Sequence, residues 1–190
     1  MIFSILKKGD RAELKKPYII CHMMTSIDGR IDCAMTSKFR GVNEYYQTLE
    51  ELDVPTTVSG RVTAELEMAE PGEYVPKDTT AYGKEGFSKK TEATGYEIVV
   101  DSRGRLLWPR SEGEFGVTRM GIVGGPKINT AFLEAGLPDE ISLLVGSGID
   151  GRGGMPAVFD GLDQDHDVTG LKLMDVQKFD SDAVWLRYRV

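Results

Sequence analysis

Gly121-Ile122-Val123-Gly124-Gly125-Pro126-Lys127-Ile128 carries the chain from an apolar strand, through two glycines, into a helix. The spacing of Ile128, Ala131, Phe132 and Ala135 predicts one shared apolar face for that helix. Such a turn leaves backbone N–H groups open where the helix start aims its positive dipole, which suits an anion. It has neither the G-x-G-x-x-G of a dinucleotide fingerprint nor the G-K-[ST] of a P-loop. Read alone, it serves equally well as a tight strand-to-helix connection.

Two more strands end in turns of similar chemistry. Val54-Pro-Thr-Thr-Val-Ser59 runs into Gly60-Arg61-Val62-Thr63, where the Thr63 hydroxyl and the Arg61 guanidinium suit a phosphate. The plainer account makes Thr63 a helix cap and Arg61 a solvated charge. Glu97-Ile-Val-Val-Asp101 runs into Ser102-Arg103-Gly104-Arg105. A hydroxyl and two guanidiniums suit the 2′-phosphate that separates NADP from NAD, though an ordinary turn with solvated arginines looks the same. Three such turns in one small chain point to a phosphorylated dinucleotide.

The order of elements sets the fold class. Pro17–Met24 reads as a buried strand that ends at the Asp28-Gly29 turn. A helix follows over Asn43–Leu52, with Asn43 as its cap and Tyr46, Leu49 and Leu52 on its apolar face. Pro55–Ser59, Tyr96–Val100, Met120–Val123 and Ile141–Val145 read as strands, Thr63–Ala69 and Lys127–Ala135 as helices. Gly136 closes the last helix. Two final strands around Asp180-Ser181-Asp182 form a hairpin. The pattern is α/β: a mostly parallel central sheet with flanking helices and an antiparallel C-terminal hairpin. Residues 1–190 read as one domain, in which 71–95, rich in Pro and Gly, is a loop excursion.

Composition narrows the partners. The chain of 190 residues is 41% hydrophobic and 28% charged, as globular proteins are. Its net charge of −7 argues against a nucleic-acid surface. No apolar run approaches the roughly 20 residues that span a bilayer. A cytoplasmic protein with a small-molecule substrate is expected, with no membrane or nucleic-acid partner. Cys21 and Cys33 are expected to be buried and reduced. His22 should be packed within its strand, and Gly146–Gly154 should be a flexible connection. The acidic stretch around His166 fails the EF-hand pattern, because Val168 and Met174 replace the required Gly and Glu. No metal site is expected. No nucleophile–base pair or carboxylate dyad stands out, so the catalytic group is unassigned, as befits chemistry carried by a cofactor.

Taken together, these segments resemble a known family. Met24-Thr-Ser-Ile-Asp28-Gly-Arg-Ile31 resembles the M-S-L-D-G-[KR]-I opening of the riboflavin-biosynthesis reductase family, the RibD C-terminal domain. The G-R-x-T turn, Val99-Val-Asp-Ser102 with Arg105, the Gly124-Gly125 turn, Gly136-Leu-Pro-Asp139-Glu140-Ile141 and the hairpin follow in the same order. The resemblance implies a dihydrofolate reductase-like fold, NADPH as cofactor and a homodimer. It implies cofactor contacts at Met24, Thr25, Arg61, Thr63, Ser102, Arg103, Gly124, Gly125, Pro126, Lys127 and Ile128. For the substrate it implies Ser37 and Lys38, with Phe39 and Arg40 beside the cofactor and Arg40 within the substrate site. Asp28 serves to orient the substrate or the first loop, or equally as a turn-stabilising Asx residue. The activity implied is that of a 5-amino-6-(5-phosphoribosylamino)uracil reductase.

Two departures leave the substrate open. The family's Glu before the Gly-Gly pair is Val123 here. Its Asp-Asp-Pro-x-Leu-x-x-Arg segment reads Glu67-Met-Ala-Glu70-Pro71-Gly-Glu-Tyr74, which keeps an acid at Glu67 and lacks the arginine. A pterin- or folate-type reductase of the same fold, or an NADP-binding protein without turnover, are the competing readings.

Overall fold

The computed structural model describes residues 16–67, 69–73, 93–101, 106–107 and 117–190. Its centre is β1 (Tyr18–Thr25), whose β-branched and apolar residues are buried on both faces of the sheet. Such a strand needs a parallel neighbour on each side and cover above and below. It pairs in parallel with β6 (Arg119–Ile122) and β7 (Glu140–Val145). Beyond β6 lie β2 (Thr56–Gly60) and β4 (Glu97–Val100), also parallel. Beyond β7, β9 (Val184–Arg189) and β8 (Lys172–Lys178) run antiparallel. The sheet order is therefore β4-β2-β6-β1-β7-β9-β8, the mostly parallel sheet with an antiparallel hairpin that the sequence implies.

Alternate residues of β1 feed two cores. Ile19, Cys21 and Met23 pack with Val58, Ile122, Ile141 and Val158, under Ile128 and Phe132 of α4 (Pro126–Glu134). Ile20 and Met24 pack with Leu144, Trp185 and Leu52, under Val42 and Tyr45 of α2 (Val42–Glu51). The short α1 (Cys33–Thr36) and α3 (Arg61–Glu67) complete the helices among the described residues. None of these is long and apolar enough to cross a membrane.

Several sequence expectations need correction. α2 is capped by Gly41 and not by Asn43. Gly41 has φ +98, and a methyl there would meet Ser181 Oγ at 2.9 Å, so the hairpin turn dictates the cap. Leu52 is buried as expected, but Tyr46 is exposed, and Tyr45 and Thr48 face inward in its place. In α4, Ala131 and Ala135 are exposed, whereas Asn129 and Thr130 are buried. Asn129 Nδ2 donates to the Val158 carbonyl (2.8 Å), and Thr130 Oγ1 accepts from the Asp160 N–H (2.9 Å). These polar groups grip a loop whose backbone must be satisfied when buried. α3 starts at Arg61, so Thr63 lies inside the helix.

The expected excursion 71–95 falls mostly outside the described residues. Residues 71–73 belong to β3 (Glu70–Glu73), which pairs antiparallel with β5 (Leu106–Leu107). Residues 74–92 lie outside the described set. Cys21 is buried as expected, and burial pushes its thiol up to about 12. Cys33 is exposed, because α1 lies on the surface. His22 is fully buried, stacked on Tyr45 at 4.8 Å.

Candidate functional site

Because β1, β2, β6 and β7 are parallel, their C-terminal ends lie along one edge of the sheet, and the turns after them gather there. The Gly60 N–H donates to the Gly124 carbonyl (2.8 Å), and the Val123 N–H donates to the Val58 carbonyl (2.9 Å). These bonds fasten the second turn to the third. Gly124 has φ +107; a methyl on it would sit 3.1 Å from Met23 Cε and 3.8 Å from Thr63 Oγ1. A methyl on Gly60 would lie 3.4 Å from Ile128 Cγ1 and 3.6 Å from the Gly125 nitrogen. Met23, Gly60, Thr63, Gly124, Gly125 and Ile128 thus form one neighbourhood. Gly125 caps α4 without a side-chain hydrogen bond, Pro126 fills its first turn, and Lys127 is exposed.

Ser59 deepens this cradle. Its residue is 1% exposed, yet its hydroxyl has no partner among the described residues. A buried hydroxyl left unpaired costs about 1–3 kcal/mol unless something hydrogen-bonds it. Arg61 stands at the start of α3, with its guanidinium on Glu65 one turn on. Ser102 and Arg103 lie outside the described residues.

A second neighbourhood lies at the end of β1. The Gly146 N–H donates to the Thr25 carbonyl and the Ile27 N–H to the Gly148 carbonyl, each at 2.8 Å. Phe39 lies over this loop: a methyl on Gly146 or Gly148 would meet its ring at 2.6 or 2.2 Å. Phe39 is therefore a wall of the Gly146–Gly148 loop, and Met24 Cε lies 3.2 Å from the same point on Gly146.

Asp28 then ties down the rest of the glycine-rich segment. Its carboxylate accepts the N–H groups of Asp150 (2.9 Å) and Gly151 (3.0 Å). A hydrogen bond from the Ser26 hydroxyl, with these two N–H groups, holds the Asp28 carboxyl down to about 2. Arg152 continues the clasp, pairing with Asp150 (2.5 Å) and with Asp32 (2.6 Å), the cap of α1. The segment expected to be a flexible connection is pinned along this side.

The remaining substrate-side candidates are more scattered. Ser37 and Lys38 are exposed at the end of α1, where the Ser37 hydroxyl donates to the Ala34 carbonyl (3.4 Å). Arg40 faces Asp182 of the hairpin turn at 3.8 Å. Glu67 ends α3. Val123, where the family has Glu, is half-buried beside Gly124. Sequence reasoning missed Ser59, Met23 and the Asp32–Arg152–Asp150 chain. Ser59 and Met23 flank residues that were singled out, but Arg152 and Asp32 are 120 residues apart and leave no local signal. Among the described residues, no group of three or more side chains is placed to hold a metal ion.

Strand ends that present glycine turns along one edge of a mostly parallel sheet, with an antiparallel hairpin closing the other side, define a dihydrofolate reductase-like α/β domain. Residues 112–185, well under half of the chain, match the RibD C-terminal domain, so the family resemblance read from the sequence is borne out. No curated protein matches the chain by sequence. Among solved structures, a pyrimidine reductase-like protein from Corynebacterium diphtheriae is similar at 16% identity and TM-score 0.59, with 92% of each chain covered. RibD from Acinetobacter baumannii is similar at 18% identity and TM-score 0.61 over 92% of this chain, which spans 58% of that protein. The riboflavin biosynthesis reductase of Saccharomyces cerevisiae is similar at 14% identity and TM-score 0.51, with 95% and 92% covered. At such identities the solved structures establish the fold.

Proposed function

We propose that the protein is an NADPH-dependent reductase of the riboflavin-biosynthesis type, acting on 5-amino-6-(5-phosphoribosylamino)uracil or a close relative. The observation that carries this reading is the cradle of Gly60, Thr63, Gly124, Gly125 and Ile128. Gly124, at φ +107, brings its backbone against Met23, Gly60 lies in contact with Ile128 and the Gly125 nitrogen, and the buried Ser59 hydroxyl beside them has no partner among the described residues. Backbone N–H groups at the start of α4 suit the pyrophosphate of a dinucleotide. Arg61 closes over phosphate by leaving Glu65, an exchange that costs little for a surface ion pair. Ser102 and Arg103 supply the preference for a 2′-phosphate.

Bound there, NADPH supplies a hydride for an electrophilic carbon of the substrate. The chain's own work is positioning. Met24 and Thr25 form the floor at the end of β1, and Phe39 with Gly146–Gly148 forms a wall. Asp28 holds Gly151 in place and keeps its charge at all physiological pH. Ser37 and Lys38 reach the phosphoribosyl end, with Glu67 as the acid on α3.

Titration of NADPH and of NADH, followed by ligand fluorescence, tests the cofactor half. Tighter binding of NADPH is expected, and equal affinity removes the 2′-phosphate reading. Turnover with the phosphoribosylaminouracil and with a dihydropterin tests the substrate half. Val123 specifically favours a substrate other than the family's, since it offers no acceptor where a Glu would hold a polar ring. Reduction of the pterin alone supports that second reading, and NADPH binding without any turnover supports a non-catalytic one.

A further inference from the structure

α1 is held in place from outside itself. It is four residues long, and none of them is buried. An isolated helix this short is not stable in water, and α1 has no apolar face under the core to fix it. Both of its ends are fixed instead by the glycine-rich segment after β7. At the C-terminal end the chain runs on through Ser37 and Lys38 to Phe39, whose ring covers Gly146 and Gly148. The Lys38 N–H donates to the Met35 carbonyl and the Phe39 N–H to the Thr36 carbonyl, each at 3.0 Å. The turn therefore passes without a break from α1 to that ring.

At the N-terminal end the fixture is Arg152. Its Nε and Nη2 donate to the two oxygens of Asp150, at 2.5 and 2.9 Å, and Nη2 also donates to Asp32 Oδ2 at 2.6 Å. Asp32 in turn caps α1, its other oxygen accepting the Ala34 N–H at 3.2 Å. Asp150 is anchored through its own N–H, which Asp28 accepts at 2.9 Å. The bridge thus runs from the turn after β1, through the loop after β7, to the first turn of α1. An isolated exposed ion pair contributes little, but a planar fork shared between two carboxylates fixes a direction as well as a distance.

We propose that Arg152 is a positioning residue for the substrate. By tying the cap of α1 to the loop after β7, it sets where Ser37 and Lys38 stand and so how firmly they hold the substrate's phosphate. This rests on the reading of Ser37 and Lys38 given under the proposed function. Arg152 is not itself the phosphate ligand, because two carboxylates already offset its charge.

Arg152→Gln removes the bridge, and Asp32→Asn removes its charge while keeping an oxygen to cap α1. Each whole-chain variant, with unchanged circular dichroism, is assayed with NADPH and either 5-amino-6-(5-phosphoribosylamino)uracil or its dephosphorylated form. In either variant KM for the phosphorylated substrate is expected to rise about five- to tenfold, with kcat and NADPH affinity within about twofold. KM for the dephosphorylated form is expected to stay where it is. The double variant should be no weaker than either single one, and Arg152→Lys, a point charge without the fork, should recover part of the loss. Equal losses for the two substrates, or none, overturn the proposal. Hydrogen exchange gives a readout that needs no substrate: the Ser37, Lys38 and Phe39 N–H groups are expected to exchange about fivefold faster or more in Arg152→Gln. Unchanged exchange overturns the proposal and leaves the assigned activity standing. A wild-type chain that reduces neither substrate overturns the assigned activity instead, and exchange alone then decides whether Arg152 holds Ser37 and Lys38.

Discussion

Asp28 holds Asp150 across the mouth of the sheet edge: its carboxylate accepts the Asp150 N–H at 2.9 Å, and the neighbouring Gly151 N–H at 3.0 Å. Both oxygens are thereby used to fix a loop. Asp28→Ala should release the 150–151 amides, whereas Asp28→Asn, which keeps one acceptor, should release them partly. Hydrogen exchange at neutral pH is the measurement, with acceleration of about tenfold or more expected for the alanine variant. The sign with pH follows from the carboxyl being held down to about 2, below its ordinary value. The clasp is intact above about pH 4 and is lost only as pH falls through the folded-state value near 2. Unchanged exchange in Asp28→Ala would mean that Arg152 alone holds the loop.

His22 sets the stability of the sheet in mild acid. Burial lowers its imidazole to about 4, against an opposing hydrogen bond to the Tyr45 carbonyl. His22 Nε2 faces the Tyr45 carbonyl, which can only accept, so the ring carries its proton there and Nδ1 accepts from the Ser142 hydroxyl (2.9 Å), which itself accepts from Trp185 Nε1 (2.7 Å). The unfolded chain takes up a proton near pH 6.5 and the folded one only near 4. Stability is therefore full above about pH 6.5 and falls as pH drops toward 4. Between pH 7 and pH 5 this group contributes a loss of about 2 kcal/mol. Urea unfolding at both pH values checks it, and His22→Gln should flatten that part of the profile. An equally steep profile in the variant assigns the acid sensitivity to other groups.

The sheet was legible because its central strands are continuous apolar runs, and the hairpin because of its Asp-Ser-Asp turn. Helix faces were not, because Thr48, Asn129 and Thr130 turn inward as polar residues to satisfy backbone groups. Apolar periodicity is blind to a buried side chain whose purpose is a hydrogen bond. The same divide runs through the site. Glycine turns announce themselves locally, so Gly60 and Gly124 were found. The clasp of Asp28, Asp150, Arg152 and Asp32 joins segments about 120 residues apart and exists only once β1 and β7 are neighbours.

Gly124 and Gly136 separate backbone strain from the cradle. Both have positive φ, +107 and +62, so alanine at either should cost about 1–2 kcal/mol. A methyl on Gly136 meets nothing within 4 Å, whereas one on Gly124 points between Met23 and Thr63. Gly124→Ala is expected to weaken NADPH binding at least tenfold, and Gly136→Ala to leave it unchanged at a similar melting temperature. Equal affinities in the two variants would place the cofactor elsewhere.

Arg61 offers the sharpest test of a phosphate contact, because its one ion-pair partner among the described residues, Glu65, is exposed. The ion pair with Glu65 contributes about 0–1 kcal/mol, so Arg61→Ala should barely move the melting temperature. A guanidinium on phosphate is a charge-assisted bond worth about 1.5–3 kcal/mol, so the same variant should lose roughly ten- to a hundredfold in NADPH affinity. Glu65→Ala, which leaves the guanidinium without its competitor, should bind NADPH as tightly as the parent or more tightly. Fluorescence titration of the three proteins distinguishes the roles. If Arg61→Ala binds as the parent does, Arg61 is a surface charge, and the phosphate rests on Thr63 and the backbone of the Gly124–Ile128 turn.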